Sequence, residues 1–348
     1  MARTTNTKDL EGRIADWLRG TLGRDDVTDV DLEVSLHVPE HGGMSNDTLL
    51  VDATWAEGGT RRERSIVLKM EPGEPALFPG YDLEREASVL QAVADHSDVA
   101  VPDVLAVEPD PGPLGRPFFA MGTATGRIPA DDPPYFLSGW LHDATPEQQE
   151  TALDSALDTM AAIHALDAEI LPAPGAVATP GAAGIDADVH YWRRYLEWLA
   201  TDGPVPVLPA ALEWCASNRP QPSGRDVLCW GDARMGNLVF GDDFGVSCVL
   251  DWEMAGPAPA GTDLGWFLFA HDTALMWMDD LPGFRDREGM LERYTRSSGR
   301  QPDDLHWYEV WAGVRAGAVH LRRSRISGDD PRGETPLMLS LRRLVELP

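Results

Sequence analysis

Residues 227–253, VLCWGDARMGNLVFGDDFGVSCVLDWE, constrain this chain more than any other stretch. Short apolar runs alternate with turn residues and deliver three polar side chains, Asp232, Asn237 and Asp251, toward one place. VLCW reads as a strand ending at Asp232, DARMG as a loop, NLVF as a second short strand opened by Asn237, GDDFG as a tight turn, and VSCVL as a return strand into Asp251. A hairpin of this kind brings Asp232 and Asp251 back together. Carboxylate and amide oxygens are hard ligands suited to magnesium, which is held by one or two protein groups plus phosphate oxygens. A carboxylate left free beside them can orient a hydroxyl and accept its proton. Residues 243–245 also spell Asp-Phe-Gly, but Asp243 follows Asn237 too closely for a strand to return. With Gly241, Asp242 and Gly245 around it, Asp243 is expected at an exposed turn, and the metal is assigned to Asp251.

Upstream, residues 8–20 put Leu10, Ile14, Trp17 and Leu18 on one helical face. DLEVSLHV, NDTLLVDATW and RSIVLKM follow as three strand candidates. Between the first two lies HGGMSND, where Gly42, Gly43, Ser45 and Asn46 form either an ordinary hairpin turn or a backbone cradle for phosphate. Lys69 ends the third strand in a chain whose only other lysine is Lys8. A lysine is a compact point charge suited to phosphates, although a strand-edge lysine needs no such role. YDLEREASVLQAVADH has helical spacing at Leu83, Ala87, Leu90 and Val93. Two further strand-like runs, VPDVLAVEPD and PLGRPFFAMGTATGRI, make a sheet of about five strands. From residue 146 the pattern turns helical and stays so apart from the hairpin, with LPAPGAVATPGAAG at 171–184 as a loop. His164, near the apolar face of the first of these helices, reads as a satisfied core or cap residue ahead of a catalytic base.

The pattern Gly-Asp-(four residues)-Asn, followed by an apolar strand ending Asp-Trp-Glu, resembles the aminoglycoside phosphotransferase and choline kinase family, relatives of protein kinases. The runs WGDARMGN and LDWEMAGPAPAGTDLGWFLFA look closest to actinobacterial phosphotransferases similar to the kinase-like domain fused to some acyl-CoA dehydrogenases. The family's usual His before Gly-Asp is Trp230 here, which can donate a hydrogen bond but not accept one. The resemblance implies an α+β, two-lobed, protein-kinase-like fold. Residues 1–120 would form an antiparallel sheet lobe that binds nucleotide, and 121–348 a larger, mainly helical lobe with the catalytic hairpin and acceptor pocket. It implies transfer of the γ-phosphate of ATP (or GTP), with Mg2+, to a small-molecule hydroxyl, either a metabolite alcohol or an aminoglycoside-like acceptor, the former ranked first. Asp232 would be the base, Asn237 and Asp251 the metal ligands, and Lys69 the phosphate ligand held by Glu86, with Glu84 as fallback. The FAMGT hinge would place Met121 and Thr123 at the adenine, with Val67 as a second lining residue. Arg234 would contact phosphate or an anionic acceptor unless it is simply an exposed loop residue. Asp263 would brace the loop carrying Asp232, although a helix N-cap would also explain an Asp there. A silent nucleotide-binding pseudokinase and a metal-dependent hydrolase are the competing readings.

Composition narrows the partners. The 57 acidic residues exceed 29 basic ones, for a net charge of −28, which argues against nucleic acid and anionic membranes. No run approaches the roughly 18 apolar residues of a membrane span, and the start of the sequence lacks a signal-like apolar region, so a cytoplasmic location is expected. Cys215, Cys229 and Cys248 lack metal-ligand spacing and read as reduced core residues.

Overall fold

Alternation decides the first part of the chain. Val51, Ala53, Ile66, Leu68 and Met70 are each at most 3% exposed, one face of two long strands, β2 (Asp47–Glu57) and β3 (Thr60–Met70), whose register sets Val51 opposite Ile66. This computed structural model describes residues 7–22, 33–37, 46–57, 60–220, 225–301, 303–328 and 335–346. Two compact units are present, Met1–Ala76 with Leu83–Gln91 and Pro102–Thr123, and Leu77–Asp82 with Ala92–Val101 and Ala124–Pro348.

The first unit holds the expected five-stranded sheet. β1 (Glu33–His37), β2, β3, β4 (Val104–Glu108) and β5 (Phe118–Gly122) lie in the order β1-β2-β3-β5-β4, with every neighbouring pair antiparallel. Helix α1 (Thr7–Leu22) sends Ile14 and Leu18 into the core with Leu114 and Phe118, while Leu10 and Trp17 pack at its margin. Helix α2 (Leu83–His96) buries Leu83, Ala87, Leu90 and Val93, the spacing read from the sequence.

The second unit is mainly helical: α3 (Pro146–Ile163), α4 (Ile185–Ala200), α5 (Leu208–Ser217), α6 (Gly261–Leu275), α7 (Arg287–Ser298), α8 (Leu305–Ser327) and α9 (Pro336–Leu344). Helix α3 starts sharply because Thr145 and Gln148 form a reciprocal capping box and Pro146 occupies the first turn. Its buried face, Leu153, Leu157, Met160 and Ile163, is the expected one. Helix α6 is buried on nearly every side and approaches α8 closely. A Cβ on Gly265 would meet the Tyr308 Cβ at 2.5 Å and its backbone carbon at 2.7 Å, so only glycine allows that spacing. Four short strands complete the unit: β6 (Val227–Cys229), β7 (Leu238–Phe240), β8 (Val246–Val249) and β9 (Gly256–Ala258). All three cysteines are free and buried, and burial pushes the thiols of Cys215 and Cys229 well up, keeping them protonated. Among the described residues no helix is long and apolar enough to cross a membrane.

Candidate active site

The sequence reading expected a hairpin of NLVF and VSCVL across the turn GDDFG, with VLCW leading into Asp232 and no partner named for it. The structure supplies that partner. β6 pairs with β9, Leu228 opposite Pro257, and the hairpin is β7 with β8, Leu238 opposite Val249. Asn237 does not open β7 but closes a 3₁₀ turn, Met235–Asn237. The reason lies in its amide: Nδ2 donates to the Asp232 backbone carbonyl at 3.1 Å and to its carboxylate Oδ2 at 2.7 Å, folding the loop back on itself. The Leu250 N–H then donates to the Asn237 carbonyl at 2.9 Å, which puts Asp251 beside Asn237 at the open end of the hairpin. Asp251 has φ +62°, a left-handed conformation that Asp tolerates better than most residues.

The loop is fixed from behind. Gly231 has φ +97°, and a Cβ there would meet the Met254 carbonyl oxygen at 2.2 Å, so glycine is required on two counts. The N–H groups of Trp230 and Gly231 donate to the two oxygens of Asp263 at 2.6 and 2.8 Å. Asp263 is fully buried and also 3.1 Å from His164 Nε2, whose Nδ1 lies 2.7 Å from the Tyr294 hydroxyl. Asp263 therefore does not cap α6, whose N-cap is Ala260 without a side-chain bond. His164 is the satisfied core residue expected. With Cys229 these two side chains form a compact His/Cys/Asp group, but both oxygens of Asp263 already serve the loop. Trp230 donates its indole N–H to the carbonyls of Leu250 at 2.8 Å and Asp251 at 3.1 Å, so it ties the Asp232 loop to the end of the strand that carries Asp251.

Asp232 is partly buried, its side chain 16% exposed. Its Oδ2 accepts from Asn237 and from Arg234 Nε at 3.1 Å; its Oδ1 is buried without a partner among the described residues. Arg234 is not a free loop residue. It also pairs with Asp131, and although burial opposes its charge, Asp232 and Asp131 hold its pKa above the ordinary value. Asp131, in a loop rich in Asp and Pro, gave no sequence signal. Asn237 and Asp251 supply the hard amide and carboxylate oxygens that suit magnesium, and the buried, unpartnered Oδ1 of Asp232 is the atom left for a third group. Asp243 sits on the exposed turn, its Oδ1 accepting from Gly245 N–H at 3.1 Å. The residue with positive φ there is Phe244, at +64°, and its ring is buried beside Trp140 and Arg127.

In the sheet unit, Lys69 Nζ lies 2.6 Å from Glu86 Oε1, both buried, whereas Glu84 is exposed. Val67 and Met121 are direct cross-strand partners and both half-buried, and Thr123 is exposed just past β5. Asn46 is buried at the start of β2; Gly42, Gly43 and Ser45 lie outside the described residues.

A cavity of about 310 Å³ opens beside Arg234 within the helical unit. Aromatic and aliphatic side chains dominate its wall, among them Tyr135, Phe136, Phe267, Trp277 and Phe284; Asp131, paired to Arg234, is the acid among its lining residues. Burial drives the Tyr135 pKa up, so its hydroxyl stays a donor. His271, 3.4 Å from Asp280, completes one side.

The family model described as "Phosphotransferase enzyme family" matches residues 39–310. Acyl-CoA dehydrogenase family member 11 of Gallus gallus is 28% identical over 226 residues, 64% of this chain but 26% of that protein. The chain thus spans about a quarter of the length of that relative. A structure titled as a putative aminoglycoside phosphotransferase from Ralstonia eutropha superposes with TM-score 0.65 at 20% identity, covering 96% of this chain and 94% of the other. Aminoglycoside 2'-phosphotransferase-IIIa in a GDP complex gives 0.55 at 13% identity, covering 97% of each. The resemblance read from WGDARMGN and LDWE is borne out, and the fold is the kinase-like one of the aminoglycoside phosphotransferases.

Proposed function

Because the chain belongs to the phosphotransferase enzyme family, we propose that it moves the γ-phosphate of ATP or GTP to a hydroxyl of a small molecule. The observation that carries this is Asp232, with one oxygen immobilised by Asn237 and Arg234 and the other buried and unpartnered. A carboxylate held in that way can accept a hydrogen bond from an acceptor hydroxyl, align it and take its proton. Magnesium would be held by Asn237 and Asp251, and when bound would neutralise phosphate charge. Lys69, oriented by Glu86, would hold the nucleotide phosphates, with Asn46, Val67, Met121 and Thr123 contributing to the nucleotide side. Trp230 and Asp263 keep the loop in place; neither touches reactants in this scheme.

The acceptor site is the 310 Å³ cavity. Its aromatic wall and neutralised Asp131–Arg234 pair suit an alcohol with an apolar body and offer no unpaired carboxylates to a polycation, although the chain as a whole is strongly acidic. A metabolite alcohol, hydroxyacyl compounds included, is therefore favoured over an aminoglycoside. The test is nucleotide consumption with magnesium over a panel of apolar alcohols, hydroxyacyl compounds and kanamycin-type amines, run with the parent and with Asp232→Asn. Turnover with an apolar alcohol, reduced about a hundredfold or more in the variant, is the expected result. Efficient turnover of kanamycin alone would refute the acceptor assignment, and unchanged turnover in the variant would remove Asp232 from the chemistry.

A further inference from the structure

A second cavity lies in the helical unit behind the loop that carries Asp232. Its volume is about 10 Å³, room for about one water-sized sphere. Gly231, Asp188, Thr262, Trp311 and Arg315 contribute to its wall. Arg315 is 1% exposed, and its Nε and Nη2 are buried without a partner among the described residues, as are Trp311 Nε1 and Thr262 Oγ1.

These two guanidinium nitrogens form one edge of the plane, the fork with which arginine grips anions. The guanidinium lies over the rings of Trp266 and Trp311, 4.6 and 5.7 Å from their centroids, contacts that leave the fork itself unused. Asp188 lines the same wall but spends Oδ1 on the Gly181 N–H at 2.7 Å. Burial weakens both charges, lowering the pKa of Arg315 against the pull of Asp188 and raising that of Asp188 against the pull of Arg315. A buried charge without a close partner is costly, and here the three residues that carry four unpartnered polar atoms line one small cavity.

A water molecule accepts at two lone pairs and must place two hydrogens of its own. A monatomic anion has no hydrogens to place and brings negative charge to a guanidinium fork that has no partner among the described residues. We propose that this cavity binds a monovalent monatomic anion, a halide such as chloride. The inference is independent of the phosphotransfer reading, since Arg315, Trp311 and Thr262 have no part in that scheme.

Crystals soaked in bromide supply the direct test, through anomalous scattering. Thermal melts in chloride, bromide and gluconate at equal ionic strength supply the solution test, because matched ionic strength holds screening of the acidic surface constant. A bromide peak within hydrogen-bond reach of Arg315 Nε and Nη2 is expected, with a melting temperature that rises with halide as mass action requires. Arg315→Met should abolish the halide response. Trp311→Phe keeps a ring but removes one donor, and should raise the half-saturating halide concentration by about threefold or more; it decides the matter if Arg315→Met does not fold. Asp188→Asn should retain the response. Ordinary water density in the cavity, or equal melts in chloride and gluconate, would overturn the proposal.

Discussion

Replacing Asp263 by Asn separates two explanations of an aspartate near a helix start. As an N-cap, Asn serves as well as Asp, and the substitution would be nearly neutral. As the acceptor for the Trp230 and Gly231 N–H groups, Asp cannot be replaced so easily, because an amide offers one oxygen and turns its NH2 toward the other donor. Hydrogen bonds to a charged group contribute about 1.5–3 kcal/mol and neutral ones about 0.5–1.5 kcal/mol. Losing one of the three bonds to Asp263 and stripping charge from the other two amounts to about 4–6 kcal/mol. For a unit of this size each kcal/mol shifts Tm by about 2–4 °C, so a fall of about 8 °C or more is expected in a thermal melt. The same variant should lose turnover, because the displaced loop carries Asp232. A Tm within about 2 °C of the parent would refute the bracing argument, since it would leave two buried N–H groups satisfied by something other than this carboxylate.

Other outcomes follow from the same geometry. Asp251→Ala should abolish magnesium-dependent turnover while Asp243→Ala, on the exposed turn, leaves it within about twofold, a contrast read from magnesium titrations; surface changes remote from a site cost little. Lys69→Ala should weaken nucleotide binding measured by calorimetry, whereas Lys8→Ala, exposed on α1, should not; equal effects would void the assignment of Lys69. Burial opposes ionisation of Asp158, but Arg293 and Ser297 prevail and hold its pKa below the ordinary 3.8. Its carboxylate therefore stabilises the fold above that pH, and the contribution is lost as pH falls through the lower folded value. The Tm gap between the parent and Asp158→Asn should be widest at neutral pH and close in strong acid; a gap that widens on acidification would reverse the sign.

The sheet was legible because its strands alternate and its core residues are aliphatic, whereas Glu86 was preferred to Glu84 only through the family resemblance; the physical difference, that Glu86 lies on the buried face of α2 and Glu84 does not, is visible in the structure alone. The pairing of β6 was not legible. Its partner, Gly256–Ala258, reads Gly-Pro-Ala, a composition with no strand propensity, and its place depends on close backbone approaches, of Gly231 to Met254 and of Gly256 to Gly181, that only glycine allows. Asp243 was expected on an exposed turn from its short spacing after Asn237 and the Gly/Asp composition around it, and it lies there, but the left-handed residue of that turn is Phe244 and not a glycine, since ring burial against Trp140 outweighs the backbone preference. Asp131 was invisible because its importance comes from Arg234, 103 residues away. The cavity proposed for the acceptor was equally hidden, built from α6, three separate segments (130–136, 234–236 and 277–284) and the start of α9, with no periodicity in common.

The burial of Cys215, Cys229 and Cys248 has a practical side. Thiol reagents act on accessible thiolates, and the native fold withholds all three sulfurs from them. A cysteine placed at Asp242, on the exposed tip of the hairpin whose far end holds Asn237 and Asp251, becomes the single labelling handle on an otherwise unmodified wild-type background. A fluorophore attached there would report on the hairpin without deletion of any native cysteine, and intact-mass measurement of folded against urea-unfolded protein would count one adduct in the first state and four in the second.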